Sequence, residues 1–314
     1  MTLEKAIYYF LEALESEQLS SHSIKAYHQD LKQFMDWTSK KNLNELGFED
    51  FQDYFIHIKK LKVTTIKRKR VVLHRFMKYC YRKQLCKEKL YEYIDPIKNK
   101  KSVVPKEVLS REEIVQLFTY LDEQINKLSL KKSQSYYHYL YYCAIRNKLL
   151  INILLYTGCR AHEAVSLKKQ DINLVNETIL LFTKGSKYNQ IPIHEELLQA
   201  FKTYETEMQT LDQVFLDKLN SSLYLFPSKT NIETYMSTRT LHDLMNKLSE
   251  VMGRHIHAHL FRHTFASYCI ASNMDISTIS ALISHSNPSI TLSIYTHEID
   301  AHNKQQQIKK LSFH

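Results

Sequence analysis

Six side chains, in chain order, have types suited to chemistry on a phosphodiester: Arg160, Lys184, His259, Arg262, His285 and Tyr295. Two arginines suit the two non-bridging oxygens of such a group as its charge redistributes in a transition state. Two histidines and a lysine supply proton transfer near neutral pH. A tyrosine hydroxyl, with a free pKa of about 10, is a poor nucleophile until cationic neighbours stabilise its phenolate.

Each residue sits in a local pattern that bears on its use. In Thr157-Gly158-Cys159-Arg160-Ala161-His162-Glu163 the glycine allows a sharp backbone turn and leaves Arg160 at the start of a new helix, with Glu163 three residues on to hold it. Taken alone, that pairing reads as an ordinary surface salt bridge. Lys184 falls on a short turn, where a flexible ammonium can reach a phosphate or act as a general acid, and Lys187 competes for the role. His259 and His263 have the i, i+4 spacing of zinc ligands, so a metal site must be weighed. The metalloprotease pattern needs Glu after the first His, however, and Leu260 stands there with Arg262 close by. His263 reads better as a structural hydrogen-bonding residue. Tyr295 is one of 21 tyrosines, and what singles it out is His285 ten residues upstream across a helix opened by Pro288.

The elements that must position these groups are mostly helical. Only four Gly and five Pro in 314 residues exclude a sandwich, propeller or hairpin-rich barrel, whose corners need them. Residues 1–94 read as four or five amphipathic helices, about 3–17, 21–39, 47–60 and 64–83, with 85–92 as the fifth. Pro96 and Pro105 bracket a polar, basic linker over 96–105. Beyond it, Ser110 and Glu113 form a capping box, and a long helix runs from about 134 to 156. One hairpin follows, of strands 178–183 and 189–193. Helices then cover about 194–217, 238–250, 258–271, 275–283 and 288–297, with a last one near 301–312. The expected fold is mainly α: a helical bundle (1–95), the linker, and a larger, mostly helical domain (106–314) with a small antiparallel sheet.

The net charge of +10 is concentrated, since residues 51–100 hold fifteen basic and four acidic side chains. Between Val63 and Gln84 there is no acid, and Lys67, Arg68, Lys69, Arg70 and Arg75 interleave with Val71, Val72, Leu73, Phe76, Tyr79 and Cys80. A helix with one buried and one positive face points to a polyanion, most economically nucleic acid. Five cysteines with no CxxC pair indicate a reducing, cytoplasmic setting. The most apolar stretch, 136–156, carries His138, Arg146 and Lys148, too polar for a membrane span.

These stretches together resemble the tyrosine recombinase (phage integrase) family, and among its members the simple Xer-like recombinases. The matching segments are TGCRAHEAVSLKKQDIN (157–173), TKGSKYNQIPI (183–193), HLFRHTFAS (259–267) and LISHSNPSITLSIYTH (282–297). SIKAYHQDLKQFMDW and TTIKRKRVVLHRFMKYCYRK are similar to the family's core-binding domain. The resemblance implies a site-specific DNA recombinase in which Tyr295 attacks the scissile phosphate, forming a 3′-phosphotyrosyl link and freeing a 5′-hydroxyl. Arg160 and Arg262 would bind the phosphate, Lys184 would protonate the leaving oxygen, His259 would assist proton transfer and His285 would hydrogen-bond the phosphate. No metal, ATP or other cofactor would be needed.

The resemblance also implies a C-shaped two-domain clamp on double-stranded DNA, with residues 51–94 on one side of the duplex and 106–314 on the other. A homotetramer would synapse two sites, its C-terminal helix (Ile308, Leu311, Phe313) docking on a neighbouring protomer. The chain would lack the arm-binding domain of more elaborate integrases. Two positions and one spacing depart from the family pattern: Ser284 replaces the usual Gly before the last-box His, Ala258 replaces a Pro, and the His-to-Tyr interval is ten residues, as in some integrases, where many members have nine. A type IB topoisomerase shares the phosphotyrosine chemistry, and the core-binding segments favour the recombinase. A non-catalytic DNA-binding protein on the same fold is disfavoured by the intact six-residue set, and a metal-dependent nuclease using the histidines is the weakest reading.

Overall fold

A computed structural model describes residues 1–95, 107–130, 135–183, 187–284, 288 and 289. The chain divides into two compact units, Met1–Ser102 and Val103–His314. The 96–105 stretch expected as a linker lies outside the described residues, as do Lys184, His285, Tyr295 and the segment expected to form the last helices.

The first unit is built on four helices: α1 (Leu3–Ser16), α2 (Ser21–Trp37), α3 (Phe48–His57) and α4 (Val63–Arg82). Their starts follow the sequence. The Thr2 and Ser20 hydroxyls accept the Lys5 and Ser23 amides, and the Gly47 amide donates to Asp50 at 2.8 Å. The apolar spacing of α1 buries Leu3, Ala6, Ile7, Phe10 and Leu14 against an aromatic core that includes Phe34, Phe51, Tyr54 and Phe76. The Phe10 and Phe76 ring centroids lie 5.4 Å apart, tilted as aromatic pairs prefer.

The helix expected at 85–92 is absent, replaced by a 3-10 turn at Leu90–Tyr93. The reason is local. Gln84 adopts a left-handed φ of 56°, its amide donates to Tyr81 O, and the Leu85 amide reaches back to Cys80 O at 2.8 Å. Those two bonds close α4 in a Schellman motif, which ends the helical path. Val71 is also corrected: it stands 60% exposed, while Val72, Leu73, Phe76, Met77 and Cys80 form the buried stripe.

The second unit packs around α6 (Ser135–Thr157), whose Leu149, Leu150, Ile151, Ile153 and Leu154 are all buried. Helix α5 (Arg111–Ser129) leans on it. The expected capping box is present: the Glu113 amide donates to Ser110 Oγ, and the Ser110 amide to Glu113 Oε2. After the short α7 (Ala161–Val165) come β1 (Ile172–Asn173), β2 (Thr178–Thr183) and β3 (Lys187–Pro192) in one antiparallel sheet. The two-residue β1, which pairs Ile172 with Ile179, is an addition to the expected hairpin. Pro192 pairs with Thr178 on β3, an edge strand, where the missing amide costs no ladder bond.

The single helix expected over 194–217 is two, α8 (Glu195–Met208) and α9 (Gln213–Asn220). Asp212 breaks it by capping the second, its carboxylate accepting the Phe215 amide. Helices α10 (Thr238–Met252), α11 (Ala258–Ala271) and α12 (Ile276–Leu282) follow among the described residues. Among the described residues no helix is long and apolar enough to cross a membrane.

Candidate active site

The site is assembled where α6 ends. Thr157 Oγ donates to Ile153 O at 2.6 Å and accepts the Cys159 amide, tying off the last turn. Gly158 then takes φ +59°, and a Cβ built on it would stand 2.5 Å from Phe265 Cδ1 and 3.1 Å from Ile283 Cγ2. Both backbone conformation and space therefore require glycine. This turn brings α11, through Phe265, and the end of α12, through Ile283, against the start of α7.

Arg160 is the residue just before α7. Its amide donates to Glu163 Oε2 and its Nη1 to Glu163 Oε1, both at 2.8 Å. Glu163 is only 5% exposed, so the ordinary surface salt bridge expected from the local motif is instead a carboxylate buried under a half-exposed guanidinium. One carboxylate thus caps the helix and orients the arginine. The Arg160 Nη2 reaches Ser284 O at 3.3 Å.

Arg262, from the first turns of α11, is buried, 4% exposed. It donates through Nη1 to Gly158 O at 2.9 Å and through Nη2 to Ile283 O. The two arginines therefore bond consecutive carbonyls at the end of α12, one residue before His285.

His259, one turn before Arg262, is exposed. Burial of part of its ring lowers its pKa below the usual histidine value, and the Arg262 and Arg160 cations push the same way while Glu163 opposes them. The imidazole is thereby held neutral at neutral pH, able to accept a proton. Its ring stacks on His263, centroids 6.3 Å apart. Among the described residues no three His, Cys, Asp or Glu side chains converge as a metal-ligand group.

Of the six residues expected at the site, the structure gathers Arg160, His259 and Arg262 on adjoining elements; Lys184, His285 and Tyr295 lie outside the described residues. Lys187 opens β3 and is exposed. One contributor was not singled out from the sequence. It is Asn189 on β3, whose carboxamide reaches the end of α12.

The basic helix α4 differs from its expected form. Lys69 is 3% exposed, its ammonium on Asp30 Oδ1 at 2.9 Å and on Gln33, so it is a core cation and not part of a DNA-facing stripe. Arg68 pairs with the same Asp30. Arg70 donates to Asp95 O at 2.9 Å and lies 3.9 Å over the Phe55 ring. Arg75 pairs with Glu17 at 2.6 Å, and Lys67 is half-buried. The α4 cations that stand in solvent are Arg68, Lys78 and Arg82, continued by Lys83 and Lys87.

The phage integrase family matches residues 107–302, and the phage integrase N-terminal SAM-like domain matches 7–84. The chain is 29% identical over 303 residues to tyrosine recombinase XerC of Bacillus pumilus (strain SAFR-032), covering 94% of this chain and 92% of that protein. It is 27% identical to tyrosine recombinase XerC of Staphylococcus aureus (strain bovine RF122 / ET3-1), covering 96% and 93%. In fold it is similar to XerH site-specific recombinase bound to palindromic difH substrate, with TM-score 0.68, 19% identity and coverage of 92% and 80%. It is similarly close to a lambda integrase dimer bound to a core site, with TM-score 0.67, 14% identity and coverage of 92% and 97%. With the family matched across the unit that carries the paired arginines, and its N-terminal domain matched before it, the chain belongs to the phage integrase family of tyrosine recombinases.

Proposed function

We propose that this protein cuts and rejoins duplex DNA at specific sites through a 3′-phosphotyrosyl intermediate on Tyr295, without metal or ATP. The observation that carries this reading is the paired anchoring of Arg160 and Arg262 on the carbonyls of Ser284 and Ile283. Two guanidinium groups are fixed to the segment that leads to His285, so a phosphate bound there meets preorganised positive charge. Neutral His259 beside them takes up the tyrosine proton as Tyr295 attacks. Lys184, which lies between β2 and β3 in the sequence, protonates the departing 5′-oxygen, with Lys187 as the competing donor, and His285 hydrogen-bonds the phosphate. The covalent link conserves the bond for religation to a partner strand.

In this reading residues 1–95 are the core-binding domain, 96–105 the linker and 106–314 the catalytic domain. DNA is held through the exposed cations that continue from α4, and four protomers act on two synapsed sites, exchanging C-terminal helices. An apolar groove of about 760 Å³, lined in part by Ile114, Val115, Leu155, Ile193, Phe265 and Leu282, supports this as a seat for Ile308, Leu311 and Phe313 of a neighbour. The free cysteines Cys80, Cys86, Cys143, Cys159 and Cys269 support a cytoplasmic setting.

A nicked suicide duplex tests the chemistry. The expected result is a protein–DNA adduct that survives denaturation, forms in EDTA and is lost in Tyr295→Phe. An EDTA-sensitive cut without an adduct would overturn the reading. Supercoil relaxation without strand exchange between two sites would make the protein a topoisomerase. Arg160→Ala and Arg262→Ala should abolish cleavage while duplex binding persists.

A further inference from the structure

The end of α12 is held by a contact that the six-residue chemistry does not include. Ser284 stands in the left-handed region, φ 53°, directly after the helix, where its amide donates to Ala281 O at 3.0 Å. A glycine would adopt this conformation without strain, and a serine does not. Asn189 on β3 meets it. The Asn189 Nδ2 lies 2.9 Å from Ala281 O, 3.1 Å from Leu282 O and 2.8 Å from Ser284 Oγ. Two hydrogens serve three acceptors, so at least one bond is shared. They include two of the helix-end carbonyls that have no partner within the helix, together with the side chain that makes residue 284 different from glycine.

The placement matters because both ends of this contact adjoin the chemistry. Asn189 lies two residues after Lys187 on the strand that leaves the lysine turn, opposite Leu181 in the β2 register. On the other side, the carbonyls of Ile283 and Ser284 are the ones that Arg262 and Arg160 hold. One carboxamide therefore joins β3 to the helix end whose next two carbonyls hold the arginine pair, just before the segment carrying His285. We propose that Asn189 is a positioning residue for strand cleavage: it fixes the end of α12 relative to the hairpin, and its bond to Ser284 Oγ is what makes serine serviceable at a left-handed position. The proposal rests on the tyrosine recombinase reading of this site, and deepens it.

Positioning of this kind changes rate more than affinity, because misplacement by about 1 Å can cost on the order of 100-fold. The test is single-turnover cleavage of the nicked duplex at saturating protein, with duplex binding and thermal melting measured on the same full-length variants. Asn189→Ala should form the adduct roughly 10- to 100-fold more slowly, with duplex affinity within about twofold of wild type. Asn189→Gln, which keeps the donor on a longer arm, should recover part of the rate. Asn189→Asp, which has no hydrogens to give the carbonyls, should be no better than alanine, and it decides the matter if Asn189→Ala does not fold. Ser284→Ala should slow cleavage in the wild-type background and add nothing in the Asn189→Ala background, because both changes remove the same bond.

A wild-type rate in Asn189→Ala or Asn189→Asp, no recovery in Asn189→Gln, or additive losses in the double variant would overturn the positioning role. If the wild-type protein forms no adduct that depends on Tyr295, the reading of the whole site falls and this proposal with it. If that adduct forms and the Asn189 variants make it at full rate, only the positioning role fails.

Discussion

At the scale of single residues, neighbours decide what a charged group is for. Lys69 belongs to a run of four cations, yet it is buried on Asp30, and removing one partner of a buried pair strands the other's charge. Lys69→Ala should therefore destabilise the protein by about 3–5 kcal/mol, read as a lowered urea midpoint. Lys78→Ala, on an exposed residue of the same helix, should leave the midpoint nearly unchanged and reduce the salt slope of duplex binding. The histidine prediction rests on the same logic. His259 in the DNA-free protein should titrate below 6.5, and Arg160→Ala should raise its pKa by removing one of the cations that depress it. An NMR titration of the imidazole checks both, and a value above 6.5 would contradict them. The spacing of Lys69 held a legible warning, since 69, 72, 73, 76, 77 and 80 fall on one helical stripe, and the other five of these are buried apolar residues. Its partner was not legible, because Asp30 is 39 residues away and nothing local links the two. The turn at Gly158 and the existence of the Arg160–Glu163 pair were readable because each is local, whereas the burial of Glu163 and the packing of Gly158 on Phe265 and Ile283 depend on distant segments and were not.

Elements end by rules that the composition hides. Besides α12 with its Ser284, three helices among the described residues close with a side chain where glycine is commonest: Gln18 after α1, Gln84 after α4 and Asn273 after α11, with φ of 57°, 56° and 61°. Each makes the paired back-bonds of the Schellman motif, Leu19 to Leu14 O, Leu85 to Cys80 O and Met274 to Cys269 O among them. A chain with four glycines can thus turn as many corners as an ordinary one, at some conformational cost. Gln84→Gly should recover about 0.5–1 kcal/mol of that cost, visible as a higher melting temperature; a lower one would show that the Gln84 side chain contributes more than its backbone loses. This is also why helix existence was readable while some ends were not. Apolar period and hydroxyl caps marked the starts. A glutamine in the left-handed region carries no signature, so a further helix at 85–92 was expected where the chain had already turned, and the continuation through Asp212 failed on a cap inside an apparently continuous run.

For the whole molecule, the division into units was legible from the proline-flanked basic stretch and from the charge gradient, whereas the distribution of that charge over surface and core was not. The second unit carries the groove proposed to receive a neighbour's tail, and Val115 on its rim is 65% exposed. Val115→Asp should leave folding and single-site binding intact while weakening cooperative occupancy of a two-site duplex by roughly tenfold, the effect of about 1.4 kcal/mol lost from one protein–protein contact. Gel mobility shifts on one-site and two-site duplexes separate the two. Unchanged cooperativity would place the protomer contact elsewhere.

The packing of Gly158 against Phe265 and Ile283 has a consequence for descent as well as for catalysis. Every glycine codon is one base change from an alanine codon, and the added methyl would drive apart the helices that present Arg262 and the carbonyls it grips. It would do so in the second unit, leaving the first unit's sequence as it was. A lineage that needs the DNA-bound protein but not its scissions, such as one settling into a repressor, therefore has a single-step path through this codon.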